Sequence, residues 1–264
     1  MDLPSITIVT PCMNAAGTLE EALASVRGQH YPGDLEHVVV DGGSTDGSLE
    51  ILERTPGIRY VSEPDRGLSD AMNKGVAMAR GELVGWLNAD DFYEPGALLA
   101  VGRALAARPE ARWVTGRCRI VDGDGKEIRK AVTSYKNLLL RRYSFALFLT
   151  QNFISCPATF VRKDAWEEAG GTKLEHTISM DYDLFLRIGK HHDPLVLDRE
   201  LAVFRMVEGT LSMSGFETQF REHAEQARAH GDGHPVPVAV NVLMSRAIVL
   251  VYRLLRHRRA RASD

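Results

Sequence analysis

Residues 82–95 read ELVGWLNADDFYEP, a short apolar run that stops abruptly at Asn88-Ala89-Asp90-Asp91. Leu83–Leu87 reads as a buried strand, and in an open α/β sheet the ligand crevice lies beyond the carboxyl ends of the strands. Two carboxylates facing one crevice repel each other, so the pairing points to a cation or to a ligand rich in hydrogen-bond donors. Taken alone, Asp90 and Asp91 are better read as a helix cap and a solvated acid.

Upstream the same arrangement repeats. Strands are predicted over Ser5–Thr10, Glu36–Val40 and Ile58–Ser62. They alternate with helices over Leu19–Arg27, Ser48–Glu53 and Ser69–Ala79, and a fourth helix, Gly96–Arg108, follows Pro95, a good first-turn residue. Such alternation is the habit of a mostly parallel sheet covered on both faces. Thr18 with Glu21 reads as a capping box at the first helix. The loops after the first three strands are TPCMNAAG, DGGSTDGS (Asp41–Ser48) and SEPDRGLSD (Ser62–Asp70). Asp41-Gly42-Gly43 on its own could be a turn, with Asp46 or Ser48 capping the next helix. Independent caps, however, have no reason to be acidic at one edge of one sheet. Neither a GxGxxG fingerprint nor a Walker GKS/GKT is present, so dinucleotide and P-loop chemistry are not indicated.

Beyond Pro109 the pattern loosens. Trp113–Val121 and Lys126–Lys130 are expected to form a hairpin around Asp122-Gly123-Asp124-Gly125. A stretch rich in Leu, Arg and aromatics follows from Tyr135 to Phe148. Next come a strand over Ala158–Arg162, a short helix to Ala169, a helix over Asp181–Gly189, a strand within Val196–Arg205 and a polar helix over Phe216–His230. An apolar, then basic, segment runs from Val236 to Arg261.

A chain of 264 residues, 44% hydrophobic and 25% charged, can bury one full core. Its net charge of -3 makes nucleic acid a poor partner. Three scattered cysteines match neither a disulfide framework nor a zinc site. With no basic, apolar leader before Ile6, a cytoplasmic location is expected.

The ordered series ITIVTPCMNAAGTLEEALASV, HVVVDGGSTDGS, EPDRGLSDAMNKG and ARGELVGWLNADD resembles family 2 glycosyltransferases, inverting enzymes of the GT-A fold. The match runs from Ile6 to about Ser212, and its specificity lies in the ordered set. It implies an α/β, Rossmann-like, mostly parallel sheet flanked by helices. The GT-A domain would span 1–212, with a nucleotide-binding half (about 1–108) and an acceptor half (about 109–212), followed by a helical extension over 213–264. By the same resemblance Pro11 and Asn14 line the nucleotide pocket, and Asp41 accepts a hydrogen bond from the base, with uracil favoured. Asp65, Asp70 and Lys74 lie along the ribose and diphosphate. Asn88–Asp90 stands where the family carries its DxD motif, with Asn in place of the first acid. That leaves Asp90 as the ligand of Mn2+ or Mg2+, and Asn88 able to reach the ribose.

SMDYDLFLRI resembles the family's EDYDLWLR, with Met180 in place of Glu, which aligns Asp181 with the general base; by position Asp181 could also cap its helix. Asp183, four residues before Arg187, reads as an i,i+4 ion pair. Arg205, Gly209 and Ser212 resemble a run that closes over the diphosphate. Cys156 lacks an adjacent His and reads as packing, and His191 and His192 read as helix-end residues.

The donor implied is a nucleotide-sugar, and the acceptor a saccharide or lipid-linked saccharide. No QxxRW signature of processive synthases occurs, so one sugar per encounter is expected. In the tail, Asn241 and Arg246 interrupt the apolar run too much for a spanning helix. A wheel puts Asn241, Ser245, Arg246, Arg253 and Arg256 on one side. The apolar remainder suits either peripheral contact through 236–261 with the inner face of the cell membrane or packing on the domain or a partner subunit. Leu138–Arg142 suits a second such contact or the core. Two rival readings are an inactive sugar-nucleotide-binding or scaffold protein, and a nucleotidyltransferase, which should carry a GxGTRL-type loop that is absent here.

Overall fold

The computed structural model describes residues 2–207 and 215–262, with the side chains of the last helix as far as Leu254. Eight strands form one sheet in the order β3-β2-β1-β4-β7-β6-β8-β5. They are β1 (Ile6–Cys12), β2 (Leu35–Asp41), β3 (Ile58–Ser62), β4 (Leu83–Trp86), β5 (Phe92–Tyr93), β6 (Trp113–Val121), β7 (Thr159–Arg162) and β8 (Leu195–Arg205). β1 pairs in parallel with β2 and β4, β2 with β3, and β6 with β8, whereas β7 is antiparallel to β4 and β6, and β5 to β8. All strands but β5 and β7 therefore run the same way. The chain builds outward from β1 to β3, then returns to the other side of β1 with β4. That reversal is where an open sheet leaves a crevice.

The helices are α1 (Leu19–Arg27), α2 (Ser48–Arg54), α3 (Leu68–Met78), α4 (Ala97–Ala107), α5 (Lys130–Leu140), α6 (Phe145–Thr150), α7 (Lys163–Glu168), α8 (Met180–Gly189), α9 (Phe216–His230) and α10 (Pro235–Ala262). Alternation along the strands sends one set of residues to each face. Val9, Trp86 and Trp113 join Met72, Phe148, Tyr182 and Phe185 on one side. Ile8, Leu83, Val114 and Phe160 join Leu98, Val101 and Leu201 on the other. Close packing has a specific requirement at Gly75 of α3, where a Cβ would sit 2.2 Å from Val9.

Several expectations need correction. Lys126–Lys130 is not a second hairpin strand: one bridge, Val121 to Glu127, follows the turn, and Lys130 already opens α5. β8 follows β6 along one edge and β7 covers only Trp113–Thr115 of the other; on the rest of that edge the local return makes no more than this bridge and the bond from Ile128 N to Ile120 O (2.9 Å) before α5 begins. The capping box at α1 does not form either. The Thr18 side chain makes no capping bond, and Glu21 instead pairs with Arg205 at the far end of β8.

Pro235–Leu254 is, by length and a mean hydropathy of 1.6, apolar enough to cross a membrane, despite Asn241 and Arg246. In the fold this stretch packs along α9 and α6.

Candidate functional site

The parallel direction of the strands brings the ends of β1, β2, β3, β4, β6 and β8 to one edge, and the candidate residues lie there. Pro11 and Cys12 pair with Val40 and Asp41, so Asp41 is the last rung of the ladder. Its carboxylate, fully buried, accepts from Gly43 N (3.1 Å), Ser44 N (3.0 Å), Ser62 Oγ (2.6 Å) and the Ser44 hydroxyl. Burial pushes its pKa up, but the donors from Ser44, Ser62 and Gly43 outweigh it and hold the group below the ordinary carboxylate value.

Asn14, at a positive φ of 50°, ties the first loop to the second: its N–H donates to Ser44 Oγ (2.7 Å) and its Oδ1 accepts from Thr45 N (2.9 Å). Asp46, rather than capping α2 alone, accepts from both Ser48 and Ala16 N. The third loop closes over Gly42, where a Cβ would lie 2.8 Å from Asp65 Oδ2 and 3.2 Å from the sulfur of exposed Met13. Met13, Gly42 and Asp65 thus form a small shelf at the sheet edge. Asp65 also accepts from Gly67 N (2.7 Å). Asp70 is bound by Arg66 (2.7 Å) and lies 3.5 Å from Lys74, whose ammonium also reaches Glu63 (2.8 Å). Arg66 above all, with Lys74, holds the Asp70 pKa down at about 2.

At the end of β4, Asn88 acts as a strut. Its Oδ1 accepts from Trp86 Nε1 (2.8 Å) and its Nδ2 donates to Asp91 (3.1 Å). The other Asp91 oxygen accepts from Arg205 N (2.9 Å), so this buried acid fastens β8 to the crevice. Asp90 differs: among the described residues its side chain has no ion-pair or hydrogen-bond partner outside its own residue. Desolvation raises its pKa, against the pull of nearby Arg205. Arg205 lies 5.2 Å over the Phe92 ring and pairs with Glu21, while its buried Nε has no hydrogen-bond partner among the described residues. Gly209 and Ser212, expected to act with Arg205, lie outside the described residues.

The donor set at β4 can be tested against a divalent ion. One unpaired carboxylate, half-desolvated, is available at Asp90, and Asp91 is already committed. Among the described residues no cluster of three His, Cys, Asp or Glu side chains is assembled. This suits Mg2+ or Mn2+ that takes one protein oxygen and completes its shell with phosphate oxygens and water; it does not suit an ion held by protein alone.

Across the edge, Asp181 lies in the first turn of α8, half-buried, its Oδ1 accepting from Tyr182 N (2.8 Å). Burial pushes its pKa up to about 6, against Tyr182 N–H and the Lys136 ammonium, which favour the charged form. Ser179, not Asp181, holds the N-cap position. Met180, where the family has Glu, is 2% exposed and part of the core. Asp183 makes the ion pair its spacing suggests, with Arg187 (2.7 Å), and also bonds His230 (2.7 Å). Despite burial, His230 and Arg187 hold it at about 2. Cys156 is a free thiol pushed well up by burial. His191 and His192 lie at the end of α8, donating their N–H groups to Ile188 O.

Three partners escape sequence reasoning. Lys136 of α5, lowered by desolvation, faces Asp181 electrostatically, yet nothing in KAVTSYKNLLL marks it. Glu222 of α9 accepts from Thr177 N (2.9 Å), Ile178 N (3.2 Å) and Ser179 N (2.8 Å), the segment that leads into α8. Glu21 hides behind its match to a capping box.

Comparison with known proteins agrees with this fold. A family model described as glycosyl transferase family 2 matches residues 7–170. The chain is 31% identical over 207 residues to an uncharacterized glycosyltransferase of Mycobacterium tuberculosis, spanning 76% of this chain and 75% of that one. A mannosyltransferase of Pyrobaculum calidifontis, solved with GDP-Man and Mn2+, superposes with a TM-score of 0.66 at 22% identity over 93% of this chain and 69% of that one. TarS 1–349 of S. aureus with UDP-GlcNAc superposes with a TM-score of 0.63 at 17% identity, over 84% of this chain and 66% of that one. At those identities the two structures speak to the fold.

Proposed function

The chain belongs to glycosyl transferase family 2 and is a glycosyltransferase of the GT-A fold, and from that premise we propose an inverting, non-processive transfer from a nucleotide-diphosphate sugar to a hydroxyl of a saccharide or lipid-linked saccharide. What supports this reading is an unpaired carboxylate at Asp90, at the end of β4, and a carboxyl at Asp181 raised to about 6, with Cys156 feeling the charge of both Asp181 and Asp91, the neighbour of Asp90. One is suited to a cation and the other to a proton.

In this reading the base and ribose lie between the first three loops, over the shelf of Met13, Gly42 and Asp65. Pro11 closes the pocket behind them, and Asn14 and Asp41 hold the loops in shape. Asp41 has a lone pair left on Oδ1 for a base N–H. Asn88 keeps one amide hydrogen for the ribose. Asp70 and Lys74 border the diphosphate side, and Arg205 adds positive charge where negative charge develops on the leaving group. A divalent ion at Asp90 would supply the rest of that neutralisation. Asp181 takes the acceptor hydroxyl's proton as the oxygen attacks the anomeric carbon; the bond to the β-phosphate oxygen breaks, and the nucleoside diphosphate leaves. A base near pH 6 is ionised in neutral solution yet basic enough to hold that proton.

UDP is the favoured donor nucleotide because Asp41 offers an acceptor suited to uracil N3–H. The solved neighbours carry UDP-GlcNAc in one case and GDP-Man in the other. The test is incubation with a nucleotide-sugar panel, an acceptor extract and Mn2+. Released nucleoside diphosphate in step with sugar-linked acceptor is expected. Donor binding without release on any acceptor would instead identify a binding protein.

A further inference from the structure

Helix α10 is inside out with respect to water. Its polar residues Asn241 and Ser245 are 1% and 6% exposed, while Val236, Leu243, Leu250 and Leu254 are 71%, 66%, 59% and 56% exposed. The buried side is held by hydrogen bonds: Asn241 Nδ2 donates to Leu149 O (2.9 Å) and lies 3.4 Å from the Tyr182 hydroxyl, and Ser245 Oγ donates to Asn241 Oδ1 (3.2 Å). Arg253 is fastened to Glu217 of α9 (3.0 Å). A helix bound to its own protein through amide and hydroxyl, with leucines turned outward, has its apolar face directed at something other than water.

We propose that the outer face of α10 lies flat on an anionic phospholipid surface, its exposed leucines in the acyl boundary. Charge selects this occupant. From Pro235 to Ala262 the sequence carries arginines at 246, 253, 256, 258, 259 and 261 and no Asp or Glu. Two copies meeting through this helix would bring like charge to like charge, whereas anionic lipid is complementary to it. A spanning pose would place Asn241, Ser245 and Arg246 in hydrocarbon and forfeit the bonds to Leu149 and Tyr182. Lying flat keeps every one of them.

The anchor has a consequence for the reaction, and this part rests on the transferase reading. Asn241 touches Tyr182, the neighbour of Asp181, so the helix that meets the lipid and the helix that carries the base form one body. The base is then held at a fixed height above the membrane, where a lipid-linked acceptor presents its sugar.

The test is flotation of the full chain with phosphatidylcholine vesicles, with and without phosphatidylglycerol. Recovery with the anionic vesicles only, reduced at high salt, is expected. The double variant Leu243→Ser, Leu250→Ser changes exposed side chains and should lower the vesicle-bound fraction roughly tenfold or more. Its UDP affinity by calorimetry should stay at the wild-type value, so loss of docking and loss of the donor site are separately visible. Arg256→Gln, Arg258→Gln, Arg259→Gln should remove the preference for phosphatidylglycerol. The proposal is overturned if the wild type stays with the unbound fraction. It is equally overturned if the leucine variant floats as well as wild type, or if sedimentation shows a dimer that the leucine variant dissolves.

Discussion

At the scale of single residues, the two acids to which the proposed reaction assigns a role differ in kind. Asp181 is a carboxyl whose burial raises it from 3.8 to about 6. As a base it must be ionised, so kcat/KM is expected to rise with pH up to about 6 and level off above. Lys136 favours the charged form, and Lys136→Met should move that limb to higher pH while leaving the plateau in place; a pH–rate profile unchanged by the substitution would remove Lys136 from the site. For stability the sign is opposite. A folded-state pKa above the unfolded value means that ionising Asp181 costs stability as pH rises from about 4 through about 6, and the cost is full above that. Asp181→Asn should therefore lose turnover by about 100-fold or more and keep donor affinity. At pH 8 it should melt higher than wild type, by about 2 °C, with the gap closing near pH 4. Calorimetry, turnover and thermal melts at the two pH values check the set.

At the scale of elements, much depends on how the loop before α8 is held. Glu222, buried on α9, takes the N–H groups of Thr177, Ile178 and Ser179, and those donors outweigh its desolvation and lower its pKa below 4.5. Glu222→Gln keeps the shape but loses the charge and turns an NH2 toward backbone donors. It is expected to cost about 2 kcal/mol, or about 4–8 °C in the melting temperature. Because the pKa is depressed on folding, the contribution is present above about 4.5 and vanishes as pH falls below it, so wild type and variant should converge in acid.

The same element shows what sequence can and cannot disclose. Phe216–His230 is readable as a helix from its own pattern, and Leu19–Arg27 likewise. Nothing within α9 says that Glu222 serves a different helix. β5, two residues paired with β8, and α5 and α6, in a stretch without clear periodicity, were illegible for the same reason: their partners are distant in sequence. Motif order marked Asp41, Asp90 and Asp181. Only the fold reveals that Asp41 is tied into its own loop, that Asn88 braces Asp91, and that Asp90 has no partner among the described residues.

At the scale of the whole molecule, the parallel sheet is what makes one site of these parts. It collects the ends of β1 to β4 with those of β6 and β8, and with them the Asp90 carboxylate, whose desolvation Arg205 offsets only in part, beside Asp91, which burial and Asp90 push well toward its neutral form. A fold that stores unpaired charge at one edge is stabilised by whatever neutralises it. Mn2+ without nucleotide meets a single free carboxylate and should bind weakly. A nucleotide without metal brings its own negative charge beside Asp90 and should also bind weakly. Together they satisfy each other, so the stabilisation should be cooperative. At UDP about 100-fold above its Kd, with Mn2+, folding gains about 2.7 kcal/mol, which raises the melting temperature by about 5–10 °C; either component alone should give a small fraction of that. Asp90→Ala should erase the cooperative part yet melt no lower than wild type without ligand, because it removes a desolvated, unpaired charge. If the variant retained the full metal-dependent rise, the ion would be held elsewhere and Asp90 would have no part in donor binding.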